Sequence, residues 1–352
     1  MKLIKAVSAV GVLFVGLSSQ VQAVEIKFYG QVNQALMSAD TGNGSETFIV
    51  DNDNSGTRLG LKATHELEDN WTAGAHLEFE YQSNASNKVT PTQKTIDGDF
   101  SERQINLHFS GPIGKFSIGQ GDGAANGNTE RDLSGTAIIS WANPALLGGA
   151  LDFAETSGGS NVGFSKAMSN LDFESRYDRV RYDLPEFGPF KAAISQGVKG
   201  NNDVTELGVR ANFNAGGKLT TAIGYSTEDK NSAAVGDEET FGGSVSWLHA
   251  NGFNLTGVYS TKFDDNPANP DAKFTSIKAG YKQGKHSVSV GYYITEDLAQ
   301  LGDESTTVGL GYVYKPIKWI DMYAGINQNS LDRSGSNFDD ITIATIGARV
   351  KF

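Results

Sequence analysis

The chain has 352 residues, 20% of them charged and 38% hydrophobic, with a formal net charge of −12 at pH 7. That acidity excludes a nucleic-acid polyanion as partner, and the absence of cysteine excludes disulfide staples and thiolate chemistry. Forty-two glycines against eight prolines, with 19 Phe and 12 Tyr, fit an all-β chain without low-complexity tracts.

The chain opens with two lysines within Met1–Lys5, an apolar run over Ala6–Leu17 and small residues at Val21-Gln22-Ala23. This order predicts a cleaved signal peptide over 1–23, because the run is shorter than the roughly 20 residues a spanning helix needs. Removing Lys2 and Lys5 makes the mature chain, 24–352, more acidic still.

From there alternating stretches recur at 25–38, 58–68, 71–82, 101–110, 114–120, 176–184, 190–198, 205–214, 218–226, 240–249, 253–263, 274–282, 286–296, 305–315, 319–329 and 341–352, which makes sixteen strands. In Leu59-Gly60-Leu61-Lys62-Ala63-Thr64 one face is apolar and the other polar; Val308-Gly309-Leu310-Gly311-Tyr312 alternates large with small. The links alternate in length. Those at 39–57, 83–100, 121–175, 227–239, 264–273, 297–304 and 330–340 are long and polar, with 199–204 the short member of the set. The intervening links are tight turns such as Asp69-Asn70, Ala215-Gly216-Gly217 and Gln283-Gly284-Lys285. Long loops on one side and short turns on the other predict a transmembrane antiparallel β-barrel. Hydrocarbon offers no partner to an open sheet edge, so the sheet must close, last strand beside first. An even strand count brings both termini to one rim, expected to be periplasmic. In the last strand Ile346, Ala348, Val350 and Phe352 share one face, and Phe352 is expected in the interfacial aromatic girdle.

These residues carry a resemblance to the Gram-negative general porin family along the whole mature chain. Tyr29-Gly30 resembles the family's first strand and Arg58-Leu59-Gly60-Leu61-Lys62 its second. Asp178-Arg179-Val180-Arg181-Tyr182, then Pro185-Glu186-Phe187-Gly188-Pro189-Phe190, resemble the segment after its third loop, and Gly347-Ala348-Arg349-Val350-Lys351-Phe352 its terminal strand. Ala63 departs from a usual Gly and Gln120 from a frequent Arg, which leaves the size of the basic cluster open. The resemblance implies a homotrimer in an outer membrane bearing lipopolysaccharide, with the third long loop folded into each pore. It also implies that Phe352 is read by the barrel-assembly machinery.

Sixteen strands about 4.8 Å apart and tilted about 45° close a cylinder roughly 35 Å across. Side chains cannot fill that width, so the lumen holds water and needs a constriction. The 121–175 connection is the candidate, since an unstructured loop of that length calls for a function; an exterior lid is the alternative. Ala137-Ile138-Ile139 and Ala145-Leu146-Leu147 suit packing on an inner wall. By parity Arg58, Lys62, Arg179, Arg181 and Arg210 point inward as a basic wall, each equally readable as an ordinary solvated lumen residue. Arg103 falls on the lipid parity unless a bulge turns it in or it snorkels. Glu130, Asp132, Asp152 and Glu155 are the loop acids expected to face the basic wall and set up a transverse field. Acids in the outer loops, Asp237-Glu238-Glu239, Asp264-Asp265 and Asp339-Asp340, predict a mild cation preference that weakens as salt rises.

Asp51-Asn52-Asp53-Asn54-Ser55-Gly56 opens like an EF-hand loop, but its twelfth position is Lys62 instead of the required Glu. It is expected to be an acidic surface loop, holding at most a weak surface Ca2+ shared with lipopolysaccharide; no other cofactor is expected. Gly119-Gln120-Gly121-Asp122-Gly123 does not complete a dinucleotide fingerprint, and the five histidines form no zinc-ligand spacing. The reading is a channel for passive diffusion of small hydrophilic solutes and ions, not an enzyme. A substrate-selective channel would show an aromatic ladder, for which inward Tyr29 and Tyr293 are too few. An adhesin or an enzyme using the barrel as a stand is the other alternative.

Overall fold

A computed structural model describes residues 24–231, 236–266 and 269–352; the predicted signal peptide lies outside them. In chain order the strands are β1 (Glu25–Asp40), β2 (Ser45–Asp51), β3 (Arg58–Glu66), β4 (Thr72–Gln82), β5 (Asp99–Gly111), β6 (Gly114–Asp122), β7 (Asp152–Phe153), β8 (Val162–Gly163), β9 (Arg176–Asp183), β10 (Phe190–Lys199), β11 (Asn202–Asn214), β12 (Gly217–Asp229), β13 (Glu238–His249), β14 (Phe253–Asp264), β15 (Ala272–Gln283), β16 (His286–Glu296), β17 (Glu304–Ile317), β18 (Ile320–Asp332) and β19 (Ile341–Lys351). Strands β7 and β8 pair with each other alone; the other 17 form one antiparallel sheet. It closes where β1 meets β19, from Gln31 opposite Lys351 to Asp40 opposite Thr342. Both β2 and β3 pair with the other side of β1, along Gln34–Asp40 and Glu25–Gln31 respectively. Lying end to end, they make one stave, and the barrel has 16 staves, each coinciding with a predicted stretch.

The period-2 pattern decides which way each stave faces. Between β16 and β17, Val290 sits opposite Leu310 and Val288 opposite Tyr312, while Gly291 opposes Gly309 and Ser289 opposes Gly311. The large apolar members are exposed, as are Leu59, Ile118, Val180, Ile223 and Ile277 around the ring. The opposite face is polar, and Ser195, Glu206, Ser246, Ser260 and Thr307 on it are buried. A one-residue slip of any stave would exchange the two faces, so lipid on one side and polar packing on the other fix the register.

The 39–57 link departs from expectation. Strand β1 continues to Asp40, a short turn leads straight into β2, and the chain then makes a 3-10 turn at Asp53–Ser55 before resuming as β3. The Asp51–Gly56 segment is therefore no surface loop: Asp51, Asn52 and Asn54 are buried. Asp51 accepts from the Thr57 amide at 3.0 Å and Gln34 at 2.9 Å, and Asp53 accepts from Gln82 at 2.8 Å and Asn87 at 2.6 Å. Amide donors satisfy these acids, and the polar burial made the segment look like an exposed loop in sequence. The 199–204 link shortens to Gly200-Asn201 between β10 and β11.

The apolar core lies where the 123–175 connection meets the sheet. Leu147, Leu151, Phe153, Phe164 and Met168 are fully enclosed against Met37, Phe48, Phe274, Ile341 and Ile343. Each such side chain contributes about 1.5–3 kcal/mol over its exposed state. A side chain at Gly325 would run into Ile139, since a Cβ there would lie 2.6 Å from Cγ1, so glycine admits the Ile138-Ile139 stretch to the sheet. Among the described residues the one α-helix, α1 (Phe164–Ala167), belongs to the same cluster.

Candidate functional site

The 123–175 connection runs along the polar face of the sheet and is bonded to it throughout. The Ala124 amide donates to Ser195 Oγ at 2.8 Å, the Arg131 amide to Ser244 Oγ at 3.1 Å and the Leu133 amide to Ser246 Oγ at 2.9 Å. Farther on, Thr136 Oγ1 meets Ser289 Oγ at 2.7 Å and Ser140 Oγ meets Tyr293 OH at 3.0 Å. Glu206 of β11 clasps both ends of the segment, accepting from the Ala125 amide at 2.9 Å and the Glu174 amide at 3.0 Å. Within the segment, Asp172 accepts from the Gly127 and Thr129 amides and from Thr129 Oγ1.

Arg179, Arg181 and Arg210 stand on the same face and hold backbone carbonyls, Arg179 those of β6 and Arg181 and Arg210 those of the loop. Arg179 donates to the Asp122 and Gly119 carbonyls, Arg181 to the Gly123 carbonyl at 2.7 Å, and Arg210 to the Asn126 carbonyl at 2.5 Å and Asn128 Oδ1 at 2.6 Å. Arg181 is also paired with Asp183 at 2.6 Å. Arg58 faces the same way farther round the barrel, and Lys62 sits with its Nζ 5.3 Å from the centroid of the Tyr29 ring. Arg103 joins them through a bulge. Gln104 pairs with Glu78 and Glu102 with Phe79, which leaves Arg103 as the extra residue on β5. Turned off the lipid parity, it donates to Glu78 at 2.7 Å and to Glu80 at 2.8 Å.

The four loop acids do not gather opposite this wall. Only Glu130 lines a cavity with Arg58 and Arg103. Its Oε1 accepts from Trp141 at 2.9 Å and Asn170 at 3.1 Å, and burial, with the Asp172 charge adding to it, pushes its carboxyl up to about 8. Asp132 is spent on the wall itself, paired at 2.7 Å with Lys278 of β15, both enclosed. Burial alone would raise its carboxyl, but the Lys278 ammonium outweighs that and holds it below the usual range. Asp152 is exposed in the β7–β8 pair. Glu155 caps its own turn, accepting from Ser157 Oγ at 2.6 Å and the Ser157 amide at 2.9 Å, which draws its carboxyl down to about 2. For Glu155 the short polar stretch that follows offers local donors, and these win over a distant wall.

Residues that sequence parity passed over complete the arrangement. Arg349 donates to Asp321 at 2.6 Å and to Ser55 Oγ at 2.7 Å, and Arg176 pairs with Asp122 at 3.1 Å. Arg349 stands on the polar parity of the last strand, so its spacing held the signal; Arg176 opens its strand at an uncertain boundary and had none.

The family model described as Gram-negative porin matches residues 6–334. The chain belongs to that family. Among solved structures it is similar to an anion-selective porin from Comamonas acidovorans, with a TM-score of 0.67 and 18% identity over 94% of this chain and 100% of that one. It is also similar to the outer-membrane expressed OmpT of Vibrio cholerae, with a TM-score of 0.60 and 17% identity over 95% and 99%. At these identities the likeness is one of fold. No curated protein matches the chain.

In this porin two large cavities rich in charge are among those between the 123–175 segment and the sheet. One, of about 590 Å3, is lined by six basic side chains, among them Lys115, Arg131 and Arg210, and by three acidic ones, Asp122, Asp183 and Glu186. The other, of about 770 Å3, has Arg58, Arg103, Arg176, Lys315 and Arg349 against Asp53, Glu80, Glu130 and Asp172. Basic groups outnumber acidic ones in both, although the whole chain carries −12.

Proposed function

We propose that this porin forms a water-filled channel for passive diffusion of small hydrophilic solutes and ions across the Gram-negative outer membrane, without catalysis or a cofactor. The observation that carries the reading is the sixteen-stave ring, apolar outside and polar within. The 121–175 segment is its constriction, a role supported by its bonds to Ser195, Ser244, Ser246 and Ser289 on the polar face. A homotrimer accords with the trimer form reported for Vibrio cholerae OmpT. Residues 1–23 act as the export signal, and Phe352, whose amide bonds Gly30 at the closing seam, acts as the assembly signal.

The wall chemistry argues for the opposite sign of selectivity from the outer-loop acids. Ions pass within a few ångströms of the cavity charges, whereas acids at the mouth are screened beyond about 8 Å at physiological salt. The channel therefore prefers anions, more so as salt rises. Reversal potentials in planar bilayers under a chloride gradient, at two salt concentrations, test this. Arg58→Ala should move the potential toward cations. Identical potentials for the variant and the parent would refute Arg58 as a selectivity group, and the absence of channels would refute the function.

A further inference from the structure

The smaller cavity differs from the larger in what its charges do. Each of its acids is already matched: Asp122 with Arg176 at 3.1 Å, Asp183 with Arg181 at 2.6 Å and Glu186 with Lys191 at 2.5 Å. Among the described residues, the four remaining cations, Lys115, Arg131, Arg179 and Arg210, have no carboxylate within ion-pair distance. Arg179 spends part of its donors on β6 carbonyls and Arg210 part of its own on a loop carbonyl. Lys115 and Arg131 have no side-chain hydrogen bond, and Arg131 Nε is enclosed without a partner. A protein does not ordinarily gather four cations and leave them unmatched, because like charges repel and an unpartnered buried donor forfeits its hydrogen bonds to water. The side-chain amides of Gln104 and Asn126 line the same space and add neutral donors to it, whereas Asn106 Nδ2 already donates to Gln104 Oε1 and the Gln120 carbonyl.

The cavity also lies to one side of the loop. Lys115 follows the Gly111–Gly114 turn directly, and Glu186 and Lys191 flank the connection between β9 and β10. These belong to the short-turn rim, so the cavity opens on the turn side of the constriction.

We infer that this turn-side cavity, built on Lys115, Arg131, Arg179 and Arg210, binds small multivalent oxyanions, such as tricarboxylates or condensed phosphates, as they leave the constriction. The inference rests on the channel reading above. Convergent cations reward an anion for each charge it carries, so a multivalent species is held where chloride passes. Amide donors supply the lateral hydrogen bonds that bare charge lacks.

Single channels in planar bilayers, with chloride carrying the current, test it by titrating citrate or pyrophosphate into either compartment. The expected result is a saturable block at millimolar concentration, stronger from the turn side, and absent with glycerol as a neutral control. In the double variant Lys115→Gln/Arg131→Gln the half-blocking concentration should rise about tenfold, the loss of two modest ion pairs. Neither side chain bonds its neighbours, so the substitutions leave no orphaned partner. Block by either anion that weakens in the variant supports the site. Channels that conduct chloride yet show no saturable block, or the same block in the variant, overturn it. Failure to form channels at all would instead refute the channel reading.

Discussion

Lys278 stands on the polar face of β15 with its ammonium fully enclosed, donating to Asp132 at 2.7 Å and to the Ser140 carbonyl at 2.6 Å. That geometry changes what Asp132 can do. Read from sequence, it is a loop acid whose removal should shift ion selectivity. In the folded porin it neutralises a buried cation, and removing one member of such a pair costs about 3–5 kcal/mol. Asp132→Ala should therefore loosen the loop, seen as a lower temperature of trimer dissociation and noisier single-channel current, with little change in reversal potential. The compensated pair Asp132→Leu/Lys278→Met should recover most of the loss. A quiet, fully heat-stable Asp132→Ala channel would show that the pair does not anchor the loop.

At the scale of the element, the 123–175 segment carries its own titratable device. Glu130 keeps its proton up to about pH 8 in the folded segment, against an ordinary value of 4.5. The unfolded segment loses that proton first, so the native packing loses stability as pH rises from 4.5 toward 8 and levels off above it. Ionised beside Asp172, Glu130 adds a negative charge to the cavity of Arg58 and Arg103. The reversal potential should step toward cations between pH 7 and about pH 9, and Glu130→Gln should abolish the step; an equal step in that variant would assign it elsewhere. How far such features were legible differs by element. The staves were, because each repeats one alternation that both lipid and lumen enforce. Arg58, Arg179, Arg181 and Arg210 followed by parity. Arg103 could not, since its inward turn depends on a register shift against Glu78 and Phe79 of the neighbouring strand. The partners of Asp132 and Glu155 were equally hidden: one lies on β15, the other is the turn's own backbone, and spacing ranks neither.

The whole molecule is a ring held by pairing rather than by a filled centre. Unboiled samples should migrate as a large heat-modifiable trimer with a β-type circular dichroism spectrum. Deleting Phe352 should remove that species and leave unassembled chain, because its amide and carbonyl both bond Gly30 at the seam. Normal trimer yield from the deletion would show that the terminal aromatic is dispensable for assembly. The seam has a kinetic side as well. Gln31 and Lys351 are brought together from opposite ends of the chain, whereas every other stave pairs with the next one along, through a modest link in each case except β6 with β9, which meet across the 123–175 segment. Hairpins can accumulate one after another at small entropic cost, but the ring closes in a single late event that spans nearly the whole polypeptide. Until then two edges stay open, each a template for a strand from another copy. Yield during biogenesis is thus a race between one intramolecular encounter and many intermolecular ones, and dilution or shielding of the open edges favours the ring.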